Sequence, residues 1–301
     1  MESWRSGIES LRHIDGSRAS MEKHNDMKSP VDIRQAKREA DEKFAAAKER
    51  GDLVAAESVL KEFSEQMRAF REPFELLGAN FLGVAAWKNI GLEVGEAPPL
   101  PKFLTLELLD SECPLHPGEK IKDTHILVLV PKTVNGEPYT ALKLDELCAT
   151  RKGSGDRLIY DGADATRWKG HDWANLPQSQ SEWVLIPKSD PDPKKMREKY
   201  GEEEGDKRHF REKGIAAQQK VHGEHYTEYR EVKALEVMTM ALLYDLTHKE
   251  RLLPDYLRCE EPNAFGGRVC VGCFDANGLV VCDVFGDVDI DLIGRALARK
   301  S

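Results

Sequence analysis

The sequence predicts an α+β protein: an N-terminal helical hairpin followed by a mixed domain that ends in an antiparallel sheet. Three observations carry this. Apolar residues recur at steps of three and four through 31–70, the spacing of a helical face. Two continuous aliphatic runs, "THILVLVPK" (124–132) and "SEWVLIPKSD" (181–190), read as buried strands. Around Asn277-Gly278 the period drops to two, as it does on either side of a hairpin turn.

In chain order, residues 1–30 are polar and aperiodic, a frayed or disordered lead-in. Ile33, Ala36, Ala40, Phe44 and Ala47 fall on one helical face; Leu53, Ala56, Leu60, Phe63, Met67 and Phe70 fall on another. Between them Gly51 suits a helix C-cap and Asp52 the next N-cap, so 31–78 reads as two antiparallel helices. Their shared stripe suits pairing with each other, with a sister subunit or with the rest of the chain. "GEAPPLPKF" (95–103) is proline-rich and makes 79–104 a linker. The domain proper spans 105–301. Its two aliphatic runs have the same texture and suit neighbouring strands of one sheet. "LDELCATR" reads as a short helix and "RLIYDG" as a short strand with a turn; 190–214 is a charge-dense, solvated insertion with room for one helical turn. Val232, Leu235, Met238, Leu242 and Leu246 line one side of a helix expected from Tyr226 to about Arg251. Beyond Pro254 the chain should be strands and turns.

Composition narrows the function. The chain is 40% apolar and 32% charged over 301 residues, a globular composition with room for a sizeable core. A net charge of −9 disfavours a dedicated nucleic-acid binder, which needs surplus Lys and Arg. Neither a signal peptide nor a transmembrane run is expected, and six unevenly spaced cysteines make no disulfide framework, so a cytoplasmic location is the expectation.

Several residue groups invite a chemical reading. Cys270-Val-Gly-Cys273, flanked by Cys259 and Cys282, could hold zinc or do redox chemistry, although strand alternation puts Cys270 and Cys273 on opposite faces. His222 and His225 with Glu228 lack the order of a metal-dependent hydrolase. Cys113 with His116, and Cys148 with His171, are nucleophile–base candidates with nothing in the sequence to activate them. Trp168, His171 and Trp173 could line a pocket. Asp287, Asp289 and Asp291 alternate without the spacing of a calcium loop. No cofactor and no catalytic residue is expected.

The last segment has an anomalous composition. Glu, Lys, Gln, Met and Trp make up roughly a quarter of the chain, yet none occurs between Glu261 and Lys300. Core strands avoid Lys, Glu and Gln; they do not avoid Trp or Met, and they seldom carry so many aspartates. Apolar Val269, Val271, Phe274, Leu279, Val281, Leu292 and Leu297 alternate with positions that look unconstrained: Cys270, Gly272, Cys273, Val280, Cys282, Asp283, Val284, Phe285, Asp287, Asp289, Ile290 and Asp291.

In "ERLLPDYLRC", "FGGRVCVGCFDANGLVVC" and "LIGRALARK", and upstream in "HILVLVPK", "WKGHDW" and "EWVLIPKSD", the chain resembles the variable proteins of diversity-generating retroelements. In that family a reverse transcriptase errs at template adenines, so AAY codons become NNY codons, and NNY cannot encode Glu, Lys, Gln, Met or Trp. The resemblance implies a C-type-lectin-like domain of the formylglycine-generating-enzyme subtype, with a variable region at about 266–300, whose last strands close back on the start of the domain. It also implies a ligand-binding surface made of the unconstrained residues above. Its partner is then a protein or other macromolecule, not a nucleic acid. In this copy Phe285 and Ile290 are apolar anchors, and the aspartates favour a cationic partner. Two alternatives stand beside this reading: a zinc- or redox-active cysteine protein, and an assembly protein that acts through its helical hairpin.

Overall fold

A computed structural model describes residues 30–149, 158–160, 167–208, 215–263, 267–275, 277–283 and 293–300. The expected lead-in falls outside the described residues apart from Pro30. Helices α1 (Pro30–Glu49) and α2 (Leu53–Leu77) form the expected N-terminal pair. Gly51, at φ +70°, takes the left-handed conformation that ends α1, and the Asp52 carboxylate accepts the Ala55 N–H at 3.0 Å to cap α2. Small residues are buried next to the turn, Ala47 and Ala56, whereas Leu53 and Val54 are exposed.

The chain divides into two compact units, the first ending at Arg68 and the second starting at Ala69. The end of α2 therefore belongs to the second unit. Phe74 meets Phe81 edge-to-face at 4.9 Å, and Phe81 lies against Trp183 at 5.3 Å.

The second unit continues through β1 (Phe81–Leu82), α3 (Val84–Asn89), α4 (Leu106–Asp110), β2 (Glu112–Cys113), β3 (His116–Lys120) and α5 (Ile121–Thr124). Next come β4 (His125–Val130), β5 (Thr133–Val134), β6 (Glu137–Pro138), α6 (Ala141–Ala149), α7 (Asp172–Asn175) and β7 (Glu182–Pro187). Helices α8 (Pro193–Tyr200), α9 (Glu202–Arg208) and α10 (Ile215–His225) lead to β8 (Tyr229–Glu231) and α11 (Ala234–His248). The remainder is β9 (Tyr256–Pro262), β10 (Arg268–Asp275), β11 (Gly278–Asp283), β12 (Ile293–Arg295) and β13 (Leu297–Arg299). The fold is α+β, and no helix among the described residues is long and apolar enough to cross a membrane.

Two sheets matter most. In the first, ordered β1-β4-β7, the two aliphatic runs are antiparallel neighbours, as their shared texture implied. Every residue of β4 is fully buried. The second is ordered β11-β10-β9-β12, with β12 parallel to β9. At Leu279 the outer edge of β11 is covered by Leu158–Tyr160: Tyr160 N–H donates to Leu279 O at 2.9 Å, and Leu279 N–H donates to Leu158 O at 3.0 Å.

Helix α11 packs against strands of both sheets and against α3 and α6. It starts at Ala234, later than expected, because Tyr229–Glu231 extends to pair with β13. Its apolar stripe also proves too narrow a description: every residue from Ala234 to Tyr244 is buried. A helix enclosed on all sides needs apolar residues all round. Its polar residues are satisfied internally. Glu236 takes a bidentate pair from Arg230 at 2.8 and 2.9 Å and caps Lys233 N–H at 2.9 Å. Thr239 donates to Leu235 O at 2.6 Å, so the hydroxyl of Tyr139, 2.7 Å away, donates to Thr239.

Three other expectations change. Residues 79–104 are not a linker, since β1 pairs with β4, Trp87 Nε1 donates to Leu129 O at 3.1 Å, and Trp183 Nε1 donates to Pro98 O at 2.8 Å. The charge-dense insertion contains two helices, α8 and α9, which meet where Gly205 has no room for a Cβ, 2.5 Å from Arg197 N. The last strands do not pair with residues near 105; β13 pairs with β8 and β12 with β9.

Glu261 accepts the Ala234 N–H at 2.8 Å, and burial, reinforced by Glu260 and Glu236, pushes its carboxyl up to about 7. An unfolded chain releases this proton near the ordinary value of 4.5, so the native state holds more protons across the window between 4.5 and 7. Its stabilising contribution is therefore complete below that window and is lost as pH rises through it. Glu261→Gln keeps the acceptor and removes the charge. Its melting temperature should exceed that of the natural protein at pH ~8 and match it at pH ~4.5; an offset equal at both pH values would refute this account.

Candidate functional site

The terminal strands form a hairpin that turns at Asn277, with Asp275 and Gly278 as register partners. Alternation sorts its residues into two sets. Val269, Val271, Leu279 and Val281 are fully buried, with Leu257 and Cys259 of β9 in the same set. Helix α11 lies against β9, β10 and β11, so this fully buried set is the inner face. Phe274 and Leu297 are buried as well, so the expected frame residues are inside wherever they are described; Leu292 falls outside the described residues.

The opposite face carries rows of register partners. Cys282 faces Cys270, which faces Arg258, which faces Arg295; Val280 faces Gly272, which faces Tyr256. This is the face expected to bind, but it is not uniformly open. Arg258 Nη1 donates to Gln218 Oε1 at 3.1 Å, and Arg295 lies near enough to His222 to act on its charge, so α10 covers the β9–β12 end. Arg295 is ion-paired with Glu231, and burial lowers its guanidinium to about 10. Val280, Cys282 and Cys273 are half-buried on the β10–β11 side.

Three of the expected surface residues are corrected. Cys270 is fully buried. Gly272 is held by its backbone: a Cβ there would stand 2.0 Å from Asp255 O and 2.7 Å from Tyr256 Cα. The chains approach this closely because β10 is bulged between Gly272 and Asp275, with Cys273 N–H directed at Asp255 O at 3.4 Å. Periodicity gives no warning of such an approach; the lone glycine in a strand pattern was the available signal. Backbone pairing places Asp283 opposite Val269, at an inner-face register position, so it leaves the expected surface set as well. Val284, Phe285, Asp287, Asp289, Ile290 and Asp291 lie outside the described residues.

Of the nucleophile and base candidates, Cys113, His116 and Cys148 are buried. The Cys113 thiol is buried, and desolvation pushes it up, away from a reactive thiolate. Its candidate base, His116, is bonded through Nε2 to Ser189 O at 3.1 Å, and burial lowers its pKa. Nearby His125 is fully buried, and burial holds it down at about 3, hence neutral. Thr124 Oγ1 sits 2.9 Å from its Nδ1 and Tyr229 OH 3.1 Å from its Nε2, a closed network inside the core. Cys148 lies in the wall of a narrow apolar crevice between Trp87 and Leu242. Trp168 is buried and stacks on Trp173 at 5.6 Å. His222 is bonded to Tyr229 O at 2.8 Å. Among the described residues no three His, Cys, Asp or Glu side chains converge as a metal site.

Comparison with known protein families, curated protein sequences and solved structures finds no match.

Cys273 adopts φ +46°, a conformation Asn accepts better than Cys. Cys273→Asn should stabilise the chain by up to about 1 kcal/mol, whereas Gly272→Ala should cost about 3 kcal/mol. Urea denaturation measures both, and a neutral Gly272→Ala would contradict the close approach.

Proposed function

We propose that this chain is a ligand-binding protein whose C-terminal surface is diversified by adenine-directed mutagenic copying, on a domain of the C-type-lectin-like class. The observation that carries the reading is the loss of Glu, Lys, Gln, Met and Trp between Glu261 and Lys300. Burial of Val269, Val271, Leu279 and Val281 supports it, because a frame fixed from inside lets outward neighbours change without unfolding the strands. Cys270 and Gly272 belong to the frame. Asp283, opposite Val269, shares the inner register, so the binding set is then Cys273, Val280, Cys282, Val284, Phe285, Asp287, Asp289, Ile290 and Asp291. The paired strands that carry Cys273, Val280 and Cys282 hold their backbone before a ligand arrives, so side chains exchanged at these positions act mainly on affinity. The class assignment rests on the sequence motifs, and the pairing of β13 with β8 departs from the closure they imply.

The deciding experiment reads the DNA around the gene. A reverse-transcriptase gene and a near-copy of the coding sequence for about residues 266–300, differing only where the copy has A, are expected; finding neither ends the proposal. The protein gives a second test. Val280→Asn should change stability by no more than about 0.5 kcal/mol, while Val281→Asn buries an amide in the inner face and should cost at least ~2 kcal/mol. Equal losses in thermal melts would remove the division into frame and surface.

A further inference from the structure

We infer that Cys270 and Cys282 form a reversible disulfide modification site, closed by a low-molecular-weight disulfide such as oxidised glutathione, that clamps the terminal hairpin. The two cysteines are direct register partners on adjacent antiparallel strands. Such partners have Cα atoms about 4.5–5.5 Å apart and side chains on the same face, inside the ~4.4–6.8 Å range that a disulfide bridges. All six cysteines of the chain are thiols in this structure.

The neighbouring thiols are poorer partners. Cys259 alternates with Arg258, which faces Cys270, so its side chain lies on the inner face; it is buried there and desolvation raises its pKa well above the ordinary value. Cys273 lies within the bulge in a left-handed conformation and interacts with the Tyr256 hydroxyl. Exposure fixes the order of attack, for Cys282 is half-buried and Cys270 fully buried. The Cys282 thiolate attacks one sulfur of oxidised glutathione, and the released glutathione thiolate takes up the Cys282 proton. Cys270 then attacks Sγ of Cys282, its own proton leaving with the second glutathione. Two protein thiols and one glutathione disulfide become one protein disulfide and two glutathione thiols. The link ties β10 to β11 across Val271–Val281 and holds the strands that carry Val280 and Cys282. It stands whether or not those strands are diversified.

The test is to incubate the full chain with oxidised glutathione, then map peptides by mass under non-reducing conditions. The expected product has lost two hydrogens, joins Cys270 to Cys282 and reverts with dithiothreitol. Exchange of backbone amides between 270 and 282 should slow by ~10-fold or more in the linked form. In Cys270→Ser, glutathione should stay on Cys282; in Cys282→Ser, Cys270 should remain unmodified. A glutathione adduct persisting on natural Cys282, a link that uses Cys273 or Cys259, resistance of all thiols to oxidation, or unchanged exchange would each overturn the inference. The map of the natural protein decides the matter even if a variant fails to fold. A missing template repeat in the DNA would leave this result untouched.

Discussion

Enclosure of α11 is the constraint on which the second unit depends. From Ala234 to Tyr244 the helix exposes no side that could face water, so both sheets, α3 and α6 must present apolar walls to it. Of its two buried polar residues, Glu236 is held by Arg230, and Thr239 donates to Leu235 O and accepts from Tyr139. The inner alternation of β10 and β11 arises from the same demand. Val269, Val271, Leu279 and Val281 are set by the helix beneath them, and their neighbours on the outer face are not.

That asymmetry gives the terminal hairpin two kinds of position. Inner side chains are held by packing, where a change of one methylene is felt. Outer ones meet α10 at one end of the sheet and are half-buried at the other. Bulging at Gly272 complicates the pattern, because a close backbone approach fixes a residue whose side-chain direction alone left it free. Cys270 is fixed for another reason: it lies in the middle of the row between Cys282 and Arg258, and neighbours on both strands shield it.

Much of this was legible in the sequence where a local rule governs. Gly51 and Asp52 act as read, since caps depend on a few adjacent atoms. The pairing of β4 with β7 and the burial of the frame valines come from composition and period. Long-range packing was not legible. Proline at 98, 99 and 101 suggested a linker, yet the Pro98 carbonyl receives the Trp183 indole. Tyr229 looked helical because nothing local revealed that β13 would pair there. The outward exposure of Cys270 was misjudged because alternation assigns a face, not its cover. Likewise, Cys113 and His116 are close in sequence and in register, but burial rather than spacing decides their reactivity.

The segment Leu158–Tyr160 occupies the hydrogen-bonding groups of Leu279 along the margin of β11. An uncovered margin would offer itself to any passing strand, and the hazard would grow with each apolar substitution nearby. With the groups of Leu279 occupied, that stretch of the margin offers no pairing site to a strand from another molecule.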